Sequence, residues 1–333
     1  MKVGIIGTGA IVNSFLEAVS MIDGIKCLGI YSRSKEKGLR LANEFNIQTI
    51  YTDLDTMLDD ERINFIYVAS PNSLHYSQSL KALKKGKHVI CEKPFTSTLE
   101  ETKTLSKMAR NNGLYLFEAI TTIHLPNYKI IKDNIKRLGR IKIVQASYCQ
   151  YSSRYDQLLA GEIPNVFNPK MSGGALADIN VYNIHFVMGI FGEPNEIYYM
   201  ANKHVNGIDT SGVVFLRYPD FICICTGSKD VQGNNLVQIQ GEKGYIQVNE
   251  GANGCKSFTI NINNEKSEYI DIQSSPNILY YEMLKFHRIY KDKDLETCYK
   301  LLDHTESVMK VLVKARKDAG IIFSADNNTE NII

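Results

Sequence analysis

Short apolar runs alternate with longer amphipathic stretches from Met1 to about Ile120. Amphipathic spacing between the runs predicts helices, and the runs themselves predict buried strands. The strands are Lys2–Ile6, Lys26–Tyr31, Phe65–Ala69, His88–Cys91 and Leu114–Ala119, and the helices are Ser34–Phe45, Leu74–Lys84 and Thr98–Asn111. This alternation is typical of a doubly wound parallel sheet, in which ligands bind beyond the carboxyl ends of the strands.

The pattern changes after about Leu125, where strand-like runs follow one another with turn residues between them. They predict a large, mostly antiparallel sheet, with one face open or covered by helices. The runs are Ile141–Tyr148, Glu196–Ala201, Ser211–Tyr218, Ile222–Thr226, Leu236–Gln240, Tyr245–Val248 and Phe258–Ile262. We therefore predict an α/β protein of two domains, residues 1–122 and 123–333.

Charge and composition exclude several classes of protein. The chain of 333 residues has 38 Lys and Arg against 36 Asp and Glu, so we expect no nucleic-acid partner. The basic cluster Lys84–His88 is typical of a solvated helix end, with a nucleic-acid patch as the alternative. No stretch is long and apolar enough to span a bilayer, so we expect no membrane contact. Seven scattered cysteines favour reduced thiols and a cytoplasmic protein.

A glycine turn follows the first strand at once. Its backbone N–H groups can approach a diphosphate that lies on the N-terminus of the next helix. An ordinary tight turn is the alternative, and Val12 replaces the third glycine of the G-x-G-x-x-G motif. The residues predicted to bind a dinucleotide here are Gly7, Thr8, Gly9, Ala10 and Ile11.

The second strand ends at Ser32, Arg33 and Ser34, where an NAD-preferring site normally has an acidic residue. Arg33 can instead pair with a 2′-phosphate, and the two serine hydroxyls lie beside it in sequence. We therefore expect NADP as the preferred cofactor, with NAD as the alternative. The alternative is that Arg33 is a solvated loop arginine with no role in binding.

Polar residues also end the next strands. Lys93 is a candidate for proton transfer, because Pro94 fixes the turn in which it lies after a buried strand. His75 follows the third strand closely enough to favour a pocket over a helix surface. The remaining residues predicted to bind the cofactor are Ala69, Ser70, Pro71, Asn72, His75, Glu92, Lys93, Pro94 and Glu118.

A second cluster follows Gly173 and Gly174. Asp178, Tyr182 and His185 are spaced so that an α-helix would present them on one face. Polar groups on an otherwise apolar face need a pocket or a hydrogen-bond network. For Asp178 the structural alternative is a helix cap, and for His185 it is a core histidine. These positions do not form a ligand cluster, so we expect no metal.

In this order and spacing, the motifs resemble the Gfo/Idh/MocA family of glucose–fructose oxidoreductase and inositol dehydrogenase, over nearly the whole chain. The resemblance implies a Rossmann domain, a C-terminal sheet that forms a homodimer or homotetramer, and NAD(P)-dependent oxidation or reduction of a sugar, polyol or diol. It implies that Lys93 is catalytic and that Asp178 binds substrate. Tyr182 stands where many members have histidine, as in the branch of dihydrodiol dehydrogenase and NADP-dependent xylose dehydrogenase. Val12 and Asn180 depart from the family pattern.

Two other functions stay open on this resemblance. A cofactor-binding sensor without catalysis can use the same fold, although such a protein would be expected to lack Lys93. A glycoside hydrolase with tightly held NAD would cleave its substrate by transient oxidation. For the dehydrogenase, we expect Tyr182 to carry the hydroxyl proton, with Lys93 or His185 as the other proton carriers.

Overall fold

A computed structural model of the chain describes residues 1–327. Its first unit comprises Met1–Ala119 and Asn277–Glu306, and its second comprises Ile120–Pro276 and the described residues from Ser307 onward. The first division lies near the predicted boundary at residue 122. Residues 277–306 had been assigned to the second domain, but they belong to the first unit because their helix packs on its core. Residues 328–333 of the predicted second domain lie outside the described residues.

The first unit is built on six parallel strands in the spatial order β3-β2-β1-β4-β5-β6, which confirms the predicted doubly wound sheet. The strands are β1 (Lys2–Ile6), β2 (Lys26–Tyr31), β3 (Thr49–Tyr51), β4 (Phe65–Val68), β5 (His88–Glu92) and β6 (Leu116–Ala119). Sequence analysis missed β3, because three residues are too few to show a period.

The second unit carries eight strands in the order β14-β13-β12-β11-β7-β10-β9-β8. They are β7 (Ile141–Cys149), β8 (Glu196–Lys203), β9 (Asp209–Arg217), β10 (Ile222–Ser228), β11 (Leu236–Gly241), β12 (Gly244–Asn249), β13 (Ser257–Ile262) and β14 (Glu268–Ile270). All neighbours are antiparallel except β7 and β10, so the predicted mostly antiparallel sheet is confirmed.

Helices connect and cover these sheets. The α-helices are α1 (Ala10–Ser20), α2 (Lys35–Glu44), α3 (Leu54–Asp59), α4 (His75–Lys84), α5 (Leu99–Asn111), α6 (Pro126–Asn134), α7 (Tyr155–Leu159), α8 (Val181–Phe191), α9 (Gly251–Gly254), α10 (Leu279–Lys291) and α11 (Leu295–Asp318). Short 3₁₀ turns lie at Asn72–Leu74, Thr121–His124, Ile135–Leu138, Asn165–Phe167, Pro169–Met171 and Ser324–Asn327. A π-helical turn, Leu176–Asn180, precedes α8.

The core of the first unit explains why α10 belongs there. Phe286 of α10 stacks on Phe117 of β6 with ring centroids 4.3 Å apart, and Phe15 of α1 stacks on Tyr67 of β4 at 3.8 Å. All four rings are buried. Each large apolar side chain removed from water contributes about 1.5–3 kcal/mol, so this layer fixes both helices on one face of the sheet.

The eight-stranded sheet has one covered face and one exposed face. Strand alternation buries Ile197, Leu216 and Cys223, whereas their neighbours Tyr198 and Ile222 lie on the other face. Cys223 and Cys225 lie on the same covered face with sulfurs 3.8 Å apart, as the period-two spacing predicts. The seven cysteines are free thiols. Within residues 1–327, no helix combines the length and apolarity that a bilayer crossing needs.

Candidate functional site

The glycine turn after β1 has the shape that a dinucleotide diphosphate requires. Gly7 has φ +121°, and a Cβ there would lie 2.4 Å from the carbonyl oxygen of Ala69. The ends of β1 and β4 therefore meet at a spacing that only glycine allows. Gly9 caps α1 without a side-chain hydrogen bond, and a Cβ at Gly9 would meet no atom within 4 Å. The open N-terminus of α1 fits an anion.

The end of β2 brings its two serines into the start of α2. Ser34 caps α2 by accepting a hydrogen bond from the N–H of Lys37, and the N–H of Ser34 donates to Oγ of Ser32. These bonds fix the turn in which Arg33 lies. Arg33 is exposed. The backbone of Arg33 is therefore held by a short, capped turn, while its guanidinium stays exposed to a phosphate.

His75 joins two of the predicted cofactor loops. The side chain is buried, with Nδ1 3.0 Å from the carbonyl oxygen of Pro94 and Nε2 2.9 Å from that of Ser70. Burial lowers the pKa of the imidazole. The structure thus places His75 between the turns that follow β4 and β5, where its ring bonds Pro94, the residue after Lys93.

Glu92, which precedes Lys93, is one of three buried acids among the described residues of the first unit, with Glu118 and Glu282. The hydroxyl of Tyr67 donates to Oε1 of Glu92 at 2.5 Å, and burial raises the pKa of Glu92 to about 7. Burial, with the charges of Glu92 and Glu118, raises the pKa of Glu282 as well. Sequence analysis missed Tyr67 and Glu282, because both lie within apolar periodic segments and look like core positions.

The second of the two glycines before the second cluster, Gly174, makes room for a carboxylate. A Cβ on Gly174 would lie 2.0 Å from Oδ1 of Asp209, and Gly174 has φ +105°. Oδ2 of Asp209 accepts hydrogen bonds from the N–H of Leu176 at 2.6 Å and from the hydroxyl of Tyr199 at 2.8 Å. Asp209, rather than Asp178, therefore caps this helical segment, and Asp178 is left for another role.

The segment that carries Asp178 is a π-helix, which differs from the predicted regular α-helix. Asn180 anchors it, because Nδ2 of Asn180 donates to the carbonyl oxygen of Cys225 and its Oδ1 accepts from Asn183. Single π-helical turns inside helices frequently occur at functional sites. Because a π-helical turn holds more residues than an α-helical one, Asp178 is displaced from the helix face that a regular α-helix would share among Asp178, Tyr182 and His185. His185 is fully buried within α8.

Lys229 is a residue that sequence analysis missed. Its ammonium nitrogen donates to Oδ2 of Asp178 at 2.5 Å, and its side chain is only 8% exposed, against 28% for Asp178. The hydrogen bond from this buried ammonium limits the orientation of the Asp178 carboxylate. The sequence could have indicated Lys229 only by its position, because Lys229 comes directly after strand β10.

Tyr182 follows Asp178 by four residues and contacts a second tyrosine. The rings of Tyr182 and Tyr148 meet edge-on, with centroids 5.8 Å apart. Tyr182 is half-buried. Among residues 1–327, no three His, Cys, Asp or Glu side chains are gathered as a metal ion would require. The arrangement can orient a hydroxyl and move its proton.

Comparison with known proteins gives two family matches. Residues 1–119 match the Gfo/Idh/MocA oxidoreductase family, described as having an NAD-binding Rossmann fold, and residues 131–247 match a C-terminal domain of that family. An NADP-dependent scyllo-inositol 2-dehydrogenase of Bacillus subtilis is 34% identical over 98% of this chain and 99% of its own. A trans-1,2-dihydrobenzene-1,2-diol dehydrogenase of Sus scrofa is 23% identical over 98% and 99%.

Solved structures share the fold. A 3-ketoreductase of Actinomadura kijaniata, crystallised with NADP and TDP-benzene, superposes with a TM-score of 0.83 over 96% of this chain and 97% of that chain, at 19% identity. A levoglucosan dehydrogenase in complex with NADH and levoglucosan superposes with a TM-score of 0.80 over 95% and 98%, at 17% identity.

Proposed function

Because the chain belongs to the Gfo/Idh/MocA family of NAD(P)-dependent oxidoreductases, we propose that it transfers hydride between NADP and a carbon that bears a hydroxyl group in a sugar, polyol or diol. The observation that carries this proposal is the ion pair of the buried Lys229 with Asp178, which lies four residues before the half-buried Tyr182. The relative that is 34% identical acts on scyllo-inositol with NADP, which makes a cyclic polyol the first substrate to test.

The cofactor would be held by the strand ends of the first unit. The open N-terminus of α1 at Gly9 fits the diphosphate, and Arg33 suits a 2′-phosphate. We extend this proposal to the other strand-end residues predicted from sequence. When bound, the nicotinamide accepts or supplies the hydride.

The chain's own groups would move the proton. We assign Tyr182 the transfer of the hydroxyl proton at its phenolic oxygen, as its position in the family motif suggests. Asp178, whose carboxylate accepts a hydrogen bond from Lys229 at 2.5 Å, would orient a substrate hydroxyl. Lys93 would stabilise negative charge on the reacting oxygen. His185 stays the alternative proton carrier.

We also propose that a second copy of the chain covers the exposed face of the large sheet. Tyr198, Met200, Phe215 and Ile222 lie on this face and are 52%, 70%, 39% and 46% exposed. An apolar patch of this kind marks an association surface. The predicted homodimer or homotetramer would bury these side chains.

The test is an assay of NADPH formation with the purified protein, NADP⁺ and scyllo-inositol, together with myo-inositol, glucose and xylose. Turnover of at least one of these with NADP⁺ supports the proposal. A protein that binds NADPH but oxidises none of them would favour the sensor. Retention of nucleotide through purification, released only on denaturation, would favour the hydrolase.

A further inference from the structure

Two buried asparagines fasten the π-helical turn before α8 to strand β10. Nδ2 of Asn180 donates to the carbonyl oxygen of Cys225 at 2.8 Å, and Nδ2 of Asn183 donates to that of Thr226 at 3.0 Å. The two side chains also bond each other, since Nδ2 of Asn183 donates to Oδ1 of Asn180 at 2.9 Å. Both asparagines are fully buried. We call Asn180 and Asn183, with these hydrogen bonds, the amide clasp.

Strand β10 can accept these bonds although it lies inside its sheet, between β7 and β9. A backbone carbonyl oxygen has two lone pairs, so it can accept from the clasp as well as from a neighbouring strand. Loss of either asparagine would leave a buried polar group of the other without its partner, which is destabilising. The clasp therefore favours the observed position of the turn over any in which these bonds are broken.

The fit between the turn and β10 depends on Gly227. A Cβ on Gly227 would lie 2.7 Å from Cβ of Asn180 and 3.0 Å from its Cγ. These separations are too short for carbon atoms that are not bonded, so a side chain at position 227 would push the turn away from the strand. The side chain of Asn180 therefore lies directly against the backbone of β10.

The ion pair of Lys229 with Asp178 joins the same turn to the same strand. Asp178 precedes Asn180 by two residues within the turn, and Lys229 follows Gly227 by two residues at the end of β10. Alternation along the strand directs Gly227 and Lys229 to one face, which the turn covers. The turn thus meets β10 twice on that face, at Gly227 through the clasp and at Lys229 through the ion pair.

Tyr182 lies between the two clasp residues in sequence, where the π-helical turn passes into α8. A π-helical turn is rare, and regular α-helix is the usual alternative. Without the clasp, the turn can relax to α-helical spacing. The carboxylate of Asp178 would then move relative to the ammonium of Lys229 and to the hydroxyl of Tyr182.

We propose that the amide clasp positions the carboxylate of Asp178, because it holds the turn in its π-helical form and so sets where this carboxylate lies relative to Lys229 and Tyr182. Asn180 and Asn183 are positioning residues, which act through Asp178 and Tyr182 rather than on the substrate. The inference rests on the proposed function for the reaction that these groups serve. The coupling between the clasp and the ion pair can be measured without turnover.

The first measurement is a double-mutant cycle in urea unfolding of the full chain. It combines Asn180→Ala with Lys229→Met, and the control combines Asn127→Ala with Lys229→Met. Asn127 is an equally buried asparagine of the same unit, whose Nδ2 donates to the carbonyl oxygens of Cys255 and Lys256. We expect the first double variant to lose less unfolding free energy than the sum of its single variants, because loss of the clasp already displaces the ion pair. The losses of the control pair should add.

The second measurement is turnover of a polyol that the parent protein oxidises with NADP⁺. We expect kcat to fall about 10²-fold in Asn180→Ala, the cost typical of a misplacement of about 1 Å, with unchanged affinity for NADPH. Gly227→Ala should give a similar loss although it keeps both amides, because its methyl group displaces the turn. Asn127→Ala should keep the parent kcat.

A conservative variant separates positioning from general destabilisation. In Asn180→Asp, a protonated carboxyl can donate to the carbonyl of Cys225 and accept from Asn183, as the amide does, whereas the ionised form cannot donate. We expect kcat of Asn180→Asp, relative to the parent at the same pH, to recover as the pH falls. The relative kcat of Asn180→Ala should stay low at every pH.

Additive losses of unfolding free energy in the Asn180 and Lys229 cycle would overturn the inference, as would a kcat in Asn180→Ala equal to that of Asn127→Ala. Where Asn180→Ala does not fold, Asn183→Ala takes its place in both measurements, since it keeps the bond from Asn180 to β10. If the parent protein oxidises no polyol, the proposed function fails, and the unfolding cycle alone decides the inference.

Discussion

Replacing Lys229 by methionine tests whether the Lys229–Asp178 pair is a buried ion pair on which the site depends. Methionine keeps most of the length of the lysine side chain and removes only the ammonium. The substitution would leave the carboxylate of Asp178, which is 28% exposed, without the cation that now lies 2.5 Å away. We expect the free energy of unfolding to fall, because a partly buried charge loses its partner.

The structure sets the size of this loss. Removing one partner of a buried pair costs about 3–5 kcal/mol, and the partial exposure of Asp178 places the expected loss near the lower end, about 3 kcal/mol. The pair Lys310–Glu193 has a similar separation, 2.7 Å, but its side chains are 59% and 44% exposed. An exposed pair contributes below about 1 kcal/mol. Lys310→Met is therefore a matched control in the same unit.

Urea unfolding followed by circular dichroism measures both variants against the parent protein. A third protein, with Lys229→Met and Asp178→Leu together, also removes the carboxylate that has lost the lysine. We expect the double variant to recover most of the loss in unfolding free energy, since a buried pair replaced by apolar residues is often neutral. Equal losses in Lys229→Met and Lys310→Met, or no recovery in the double variant, would refute the reasoning.

Four further predictions follow from the site and the surface. Tyr182→Phe should lower kcat about 10²–10⁴-fold with unchanged affinity for NADPH by fluorescence titration; retained kcat would direct attention to His185. Arg33→Ala should weaken NADPH binding about tenfold or more and leave NADH binding unchanged, whereas equal losses would contradict a 2′-phosphate role. Burial raises the pKa of Glu92 to about 7, so Glu92 stays protonated up to about pH 7 in the folded state, whereas in the unfolded chain it ionises from about pH 4.5. The free energy of unfolding should therefore fall by about 3 kcal/mol as the pH rises from 4.5 to 7. Glu92→Gln should flatten this dependence in urea unfolding at pH 5 and pH 8, and an unchanged slope would refute the assignment. Met200→Lys should shift the protein to monomers in light scattering, whereas Val205→Lys, a control at a 98% exposed turn residue, should not.

Periodicity was enough to predict the first sheet, because each buried strand there is a continuous apolar run bounded by helical spacing. It did not reveal β3, which spans only Thr49–Tyr51, or the parallel pairing of β7 with β10. Strand pairing depends on contacts between distant segments. The pattern of residues 277–306 likewise does not indicate the sheet against which Phe286 packs.

The candidate site was predictable where chemistry lies at strand ends and unpredictable where it depends on distant pairs. Local spacing is what makes Gly7, Arg33 and Asp178 candidates. The partner of Asp178 lies 51 residues further along the chain, and nothing in the spacing of Asp178 indicates Lys229. The π-helical turn at Leu176–Asn180 was also hidden, because its stability comes from Asn180 and the carbonyl of Cys225 rather than from propensity.

The most direct test of hydride transfer uses scyllo-inositol that carries deuterium on its ring carbons. The protein is incubated with this substrate and NADP⁺, and the NADPH formed is examined by mass spectrometry. Our account predicts NADPH heavier by one deuterium, a slower rate than with unlabelled substrate, and loss of both signals in Tyr182→Phe. Formation of unlabelled NADPH from the deuterated polyol would contradict direct transfer from the substrate carbon.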